Sequence, residues 1–403
     1  KLNMARRRKK SGIGKILVTA LSMIAIVIIL NLAPNYIRND ITDKTNLVIN
    51  NGNVTKRLKN DVLVKDDVVY ISQDDVENFF DGDIYYDSKY NQIVTASDTK
   101  VAALPIGKKQ IEINSSKVNL YAETIEENGE YYIPFSEISK SVYNVETKYV
   151  KDTDTVIIVS LDRKLVYANS SKDNKVKYQS TFFSKTVDKI KRGDNVTVVT
   201  TEDTKNGWTK ITTEDGKIGY VKTNSLVNAQ SVREDLKLDK QIEGKVSLAW
   251  DYFSEYASAP TRTGKIEGVN VVSPAFISLK QQGKGEISTN IGNAGVQYIN
   301  WAHNNGYKVW ALASNNSWKD TTSEIINDYR LREEFINNLI DVVMKYDLDG
   351  INLDFENIYE ADKDAYSKLV LELAPRLREI GKVLSVDVTA PDGSADWSLC
   401  YNR

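Results

Sequence analysis

Apolar and polar positions alternate most cleanly at Asp349-Gly350-Ile351-Asn352-Leu353-Asp354-Phe355-Glu356. On a strand, Ile351, Leu353 and Phe355 fall on one face, and Asn352, Asp354 and Glu356 on the other. From residue 245 onward, such strand patterns alternate with helical ones. Strands are predicted over 245–253, 269–276, 308–313, 349–356 and 383–389. Helices are predicted between them. The first spans 296–305 and stops at Gly306. The second spans 330–346, with Phe335, Ile336, Leu339, Ile340 and Val343 on one stripe. The third spans 362–380, disturbed at Pro375 and stopped at Gly381. Repeated βα units imply a parallel sheet with both faces covered. Carboxylates on such an interior strand cost several kcal/mol each unless they are paired or hydrogen-bonded. Two of them, spaced two residues apart, point to use rather than accident.

The upstream patterns differ. Within 46–162, Val69-Tyr70-Ile71, Val76, Ile84-Tyr85-Tyr86 and Ile93-Val94 are echoed by Tyr131-Tyr132-Ile133, Ile138, Tyr149 and Val156-Ile157-Ile158. Each unit reads strand, short helix, strand, strand, an α+β repeat with no catalytic constellation. Over 172–228, short strands separated by glycines predict a small β-barrel. Polar linkers are predicted at 35–45 and 229–244. At the start, Arg6-Arg7-Arg8-Lys9-Lys10 precede an apolar run over 16–32 that ends at Pro34. This predicts a membrane-crossing signal-anchor over 1–34, with its basic tail cytoplasmic and all later residues outside. A cleaved signal peptide and a secreted product is the alternative. The length of the run and the lack of an A-x-A-like site favour the anchor. Lys1-Leu2-Asn3 read as translated sequence upstream of a start at Met4.

Charge changes this picture little: 53 basic and 55 acidic side chains leave a net charge of −2. Basic residues cluster only at the N-terminus, so no nucleic-acid partner is expected. The single cysteine, Cys400, and single histidine, His303, exclude a disulfide framework and a Cys/His zinc site. A Ser-His-Asp triad could use only His303, which is expected to be a surface or packing residue. No metal and no cofactor is implied. Trp250, Phe276 and Trp310 read as core, with at most one or two of them expected to stack on sugar rings.

The 348–356 run resembles the D-G-x-[DN]-x-D-x-E signature of glycoside hydrolase family 18, the chitinase-like family, in its spore-cortex and cell-wall branch. Val309-Trp310-Ala311-Leu312 and Trp397-Ser398-Leu399-Cys400-Tyr401 resemble the same branch. The resemblance covers 245–403. It implies a (β/α)8 TIM barrel whose site lies at the C-terminal strand ends. Glu356 is implied as the general acid. Asp354 is implied as the group that orients the substrate's own acetamido nucleophile, with Asn352 and Asp349 as supporting residues. The implied reaction is substrate-assisted retaining hydrolysis of β-linked N-acetylglucosamine, in peptidoglycan rather than chitin. A catalytically silent glycan-binding protein on the same scaffold is the alternative.

Three departures matter. Asn352 stands where aspartate is more usual, and Ala313-Ser314-Asn315-Asn316 replaces a Ser-x-Gly-Gly element. The third is length: five strands are predicted where a whole barrel has eight. The sequence is therefore expected to be a truncated reading of a longer gene, with the isolated 245–403 region poorly folded. Residues 46–162 resemble the N-terminal stalk domain of copper amine oxidases, although no histidine cluster implies copper, and a spacer role is expected. Residues 172–228 resemble bacterial SH3 (SH3b) domains, which often bind cell-wall peptides. The expected whole is a multidomain, membrane-anchored, extracytoplasmic glycosidase.

Overall fold

The computed structural model describes residues 44–199, 207–233, 241–254 and 256–388. The predicted anchor over 1–34 and the Trp397-Ser398-Leu399-Cys400-Tyr401 segment lie outside the described residues. Among the described residues, no helix is long and apolar enough to cross a membrane. The chain divides into two compact units. One holds residues 1–69 with 145–236, and the other holds 70–144 with 237–403. This division cuts through the predicted 46–162 domain.

In the first unit, Asn46–Ile49 pairs parallel with Thr155–Ser160, which pairs antiparallel with Val145–Val150. A seven-stranded sheet follows, running from Leu165–Ser170 to Leu226–Arg233. It closes on a small core of Ala168, Val176, Ile190, Val196, Ile211 and Val221. Its first strand, Leu165–Ser170, starts before the predicted limit of 172. It pairs with both Asn195–Val198 and Leu226–Arg233, and so belongs with the barrel. Gly219 has a packing reason: a Cβ there would lie 2.6 Å from the Lys177 carbonyl oxygen and from Val176 Cγ1.

The second unit carries the carboxylate strand. Its parallel strands are β1 (Leu248–Asp251), β2 (Val271–Pro274), β3 (Lys308–Ser314), β4 (Gly350–Asp354) and β5 (Val383–Val386), neighbouring one another in chain order. This is the sequential order of an α/β barrel wall. The helices are α1 (Gly292–Asn304), α2 (Lys319–Ile326), α3 (Tyr329–Lys345) and α4 (Lys363–Glu379). They bury the outer face in one apolar cluster that includes Val309, Ala311, Phe335, Leu339, Ile351 and Leu353. Pro375 lies inside α4 without ending it. A hairpin of Ile277–Leu279 and Ile287–Thr289 flanks the end of β3; neither it nor α2 is read from the sequence pattern.

Residues 70–144 belong to this unit. Their five-stranded antiparallel sheet, running from Tyr85–Asp87 to Ser116–Asn119, packs on α3 and α4. Val94, Val101 and Ala103 enclose Tyr329. Arg332, on α3, is buried and grips Glu372, on α4, through Nε and Nη2 at 2.9 and 2.8 Å. The Tyr85 hydroxyl donates to Glu372 Oε1 at 2.6 Å and accepts from Arg332 Nη2 at 2.7 Å. Asp328 caps α3 through the Arg330 and Leu331 amides and also receives Lys89 and Tyr90.

Candidate active site

The strand β4 divides its side chains as its alternation requires. Ile351 and Leu353 are fully buried against the helices, and Phe355 stacks at a tilt against Phe335 and Tyr366. On the inner face Asn352 is fully buried, Asp354 is half-buried and Glu356 is exposed. The inner face therefore grades from dry to wet toward the C-terminal end. Gly350 begins the strand because its position is crowded: a Cβ there would collide with the Val383 carbonyl and come within 3.0 Å of Trp310 Cδ1. Trp310 fills the base of the inner face and donates its indole N–H to Gln241 Oε1 at 3.3 Å.

A third carboxylate joins this face. Asp387, just beyond β5, accepts at Oδ2 from Asn352 Nδ2 at 2.8 Å and from Trp250 Nε1 at 3.1 Å. Its own amide donates to the Leu353 carbonyl at 2.9 Å. Side chains from the first strand and from just beyond the fifth thus meet at this carboxylate. Trp250 is 62% exposed and not core, unlike Phe276 at 1% and Trp310 at 6%. It lies on an outer strand of the sheet, with the inner face open beside it. Burial, then the negative charges of Asp387 and Glu356, push the Asp354 carboxyl up to about 6. Asp354 can therefore take or release a proton near neutral pH.

The expected supporting residues separate in space. Asn352 lies directly below Asp354 and orients Asp387. Asp349 is at the opposite end of the strand, roughly 23 Å from Glu356 at the usual rise per residue. Its Oδ1 meets Lys308 Nζ at 2.9 Å; its Oδ2 meets His303 Nε2 at 2.9 Å and the Val309 amide at 3.0 Å. Burial opposes its ionisation, but Lys308, the Val309 amide and His303 outweigh it and hold the carboxyl below its ordinary range. Asp349 supports the N-terminal end of the parallel sheet and does not reach the carboxylate pair. His303 is committed to that same end.

Sequence reading missed two residues of the site. Asp387 gives no signal on its own, since one aspartate at a strand end is commonplace. Asn315 gave a partial signal, because it sits where the family element departs from its pattern. Its carboxamide donates from Nδ2 to the Glu356 carbonyl at 2.8 Å and accepts at Oδ1 from the Glu356 amide at 3.0 Å.

Relatives share parts of this chain. The uncharacterized glycosylase YvbX of Bacillus subtilis (strain 168) is 29% identical over 121 residues, covering 28% of this chain and 35% of its own. A cortical fragment-lytic enzyme of Bacillus cereus is 30% identical over 66 residues, covering 16% of this chain and 15% of its own. The chain therefore spans about a third or less of the length of these curated relatives. Among solved structures, the spore cortex-lytic enzyme SleL of Bacillus megaterium QM B1551 aligns at a TM-score of 0.30 with 20% identity, over 33% of this chain and 31% of that one. Residues 48–158 match the copper amine oxidase N-terminal domain. The segment that carries β1 to β5 and the carboxylate face, residues 249–402, matches glycosyl hydrolases family 18.

Proposed function

We propose that this chain is a glycosidase that cleaves glycans of β-linked N-acetylglucosamine, with Glu356 as proton donor and Asp354 as partner of the substrate's acetamido group. One observation carries the reading. The strand β4 and the two residues that follow it bring both carboxylates to the same open end, and the Asp354 carboxyl is pushed up to about 6. The family match over 249–402 and the glycosylase and lytic relatives support the same class of chemistry.

In the proposed reaction, Glu356 gives its proton to the glycosidic oxygen as the C1–O bond breaks. The acetamido carbonyl oxygen attacks C1 from the other side, forming an oxazolinium ion. Ionised Asp354 accepts the acetamido N–H and balances the new positive charge. Water then adds to C1 and passes a proton to Glu356, and the acetamido group is restored with retention of configuration. Asn352 and Asp387 hold the charge environment of Asp354.

Peptidoglycan is the proposed substrate ahead of chitin, on the names of the lytic relatives. We also propose that the enzyme works outside the cytoplasmic membrane, tethered by the apolar run over 16–32; the basic cluster ahead of that run supports this. The 165–233 barrel is proposed as an SH3b-like module for wall peptides.

Release of reducing ends from peptidoglycan and from chitin oligosaccharides by the full chain tests the main proposal. Loss of a general acid costs on the order of 10²–10⁴ in rate. Glu356→Gln is expected to fall within that range, and full activity in that variant would sink the mechanism. The exposed Trp250 favours a second reading, a glycan receptor that stacks a sugar without cutting it. Glycan binding with no reducing ends released, by wild type and variant alike, is its signature.

A further inference from the structure

The strand β4 ends at Asp354, and the last residue pair it makes with β3 is Ser314 to Asp354. Glu356 lies two residues beyond the ladder, and its carboxylate has no hydrogen-bond partner among the described residues. The part of Glu356 that the fold holds is its backbone. That backbone is gripped from one side. The Asn315 carboxamide receives the Glu356 N–H and donates to the Glu356 C=O. A carboxamide has the same donor and acceptor groups as a peptide unit. Asn315 thus continues the ladder in side-chain form, one step past the point where β3 turns away.

Asn315 is itself fixed. It is fully buried. Its Nδ2 also donates to Thr322 Oγ1 on α2 at 2.9 Å, and its Oδ1 also accepts from the Ser317 amide at 3.1 Å. Thr322 is buried too and donates to the Trp318 carbonyl at 2.8 Å. A second tie runs from Asn357 Nδ2 to the Ser317 carbonyl at 3.3 Å. The tied residues Asn316, Ser317 and Asn357 all adopt left-handed backbone, with φ of 52°, 55° and 54°. Such geometry is uncommon outside glycine and marks a turn held by its surroundings.

We infer that Asn315 is the positioning residue of Glu356, holding the proton donor's backbone in register with Asp354 through a side-chain extension of the β3–β4 ladder. The inference rests on the reading of Glu356 as proton donor, but its geometry is testable apart from that reading. A misplacement of about 1 Å in a catalytic group is enough for a rate loss near 10²-fold.

Two measurements on the full chain test it together: amide hydrogen exchange at Glu356, and kcat and KM on peptidoglycan fragments. In Asn315→Ala, the Glu356 amide is expected to exchange at least tenfold faster, while the Ile351 and Leu353 amides keep their protection. The kcat is expected to fall at least tenfold with KM within twofold. Asn315→Asp keeps an acceptor for the Glu356 amide but loses the donor to its carbonyl. With the acceptor kept, its Glu356 amide protection should persist. Unchanged exchange at Glu356 in Asn315→Ala overturns the inference, whatever the activity. So does unchanged kcat in an active enzyme. If wild type and Glu356→Gln are equally inactive, the proton-donor reading fails and exchange alone decides the clamp. If Asn315→Ala does not fold, Thr322→Val removes one of the anchors of Asn315. A smaller acceleration at Glu356 is then expected, and none would overturn the inference.

Discussion

Asp354 concentrates the chemistry of this site, because three negative groups share one small volume. Its carboxyl is held near 6, against an ordinary aspartate value of about 3.9. The sign follows from that. A folded-state value above the unfolded one contributes stability that is complete below about pH 4 and is lost as pH rises through about 6. Asp354→Asn removes the penalty of a half-buried charge. The variant is expected to melt above wild type at pH 8 and level with it at pH 4, as read by thermal unfolding. Its activity should fall, because an amide cannot balance an oxazolinium ion. In wild type, kcat/KM should drop on the acid side around pH 6, as Asp354 takes a proton. The sequence made Asp354 and Glu356 legible because alternation and spacing alone put them on one face. It hid Asp387 and Asn315, which matter only through partners on other strands, a relation that no spacing along the chain encodes.

Among the elements, α3 shows what periodicity reveals and what it hides. The stripe of Phe335, Ile336, Leu339, Ile340 and Val343 marked the helix and its buried side, and the helix ends within one residue of its expected bounds. Arg332 ran against that reading, since a charged side chain on a helix normally faces water. Here it is buried between α4 and the 70–144 sheet because Glu372 and the Tyr85 hydroxyl satisfy it. Removing one partner of a buried pair leaves the other charge uncompensated, at about 3–5 kcal/mol. Arg332→Leu is expected to lose stability on that scale in urea unfolding. Restoring neutrality with Glu372→Leu in the same chain should recover most of it. The hairpin after β2 escaped notice for a different reason: its three-residue strands are too short to establish a period.

On the scale of the whole chain, the repeat pattern marked a 46–162 domain and a family domain matches 48–158, while contacts within the fold group 70–144 with 237–403. Local periodicity reports strands and helices; it does not report which sheet packs on which helix. The consequence is energetic. Tyr329, Arg332 and Glu372 are covered by residues from 70–144, so a fragment of 245–403 exposes apolar and charged surface that is buried in the full chain. That fragment is expected to show no cooperative thermal transition, while the full chain does. Circular dichroism on both checks this, and a sharp transition in the fragment would refute it. The 70–144 segment then contributes to the stability of the unit that carries the carboxylate strand.

The bond from Trp250 to Asp387 has an optical consequence. Its indole lies mostly in water, yet its N–H is tied to a carboxylate that also receives Asn352. Indole emission responds to such a neighbour and to the polarity around the ring. A sugar entering over the inner face disturbs both. The wavelength of the Trp250 contribution, isolated as the difference from Trp250→Phe, should move with ligand. The chain thereby carries its own dye beside the carboxylate face.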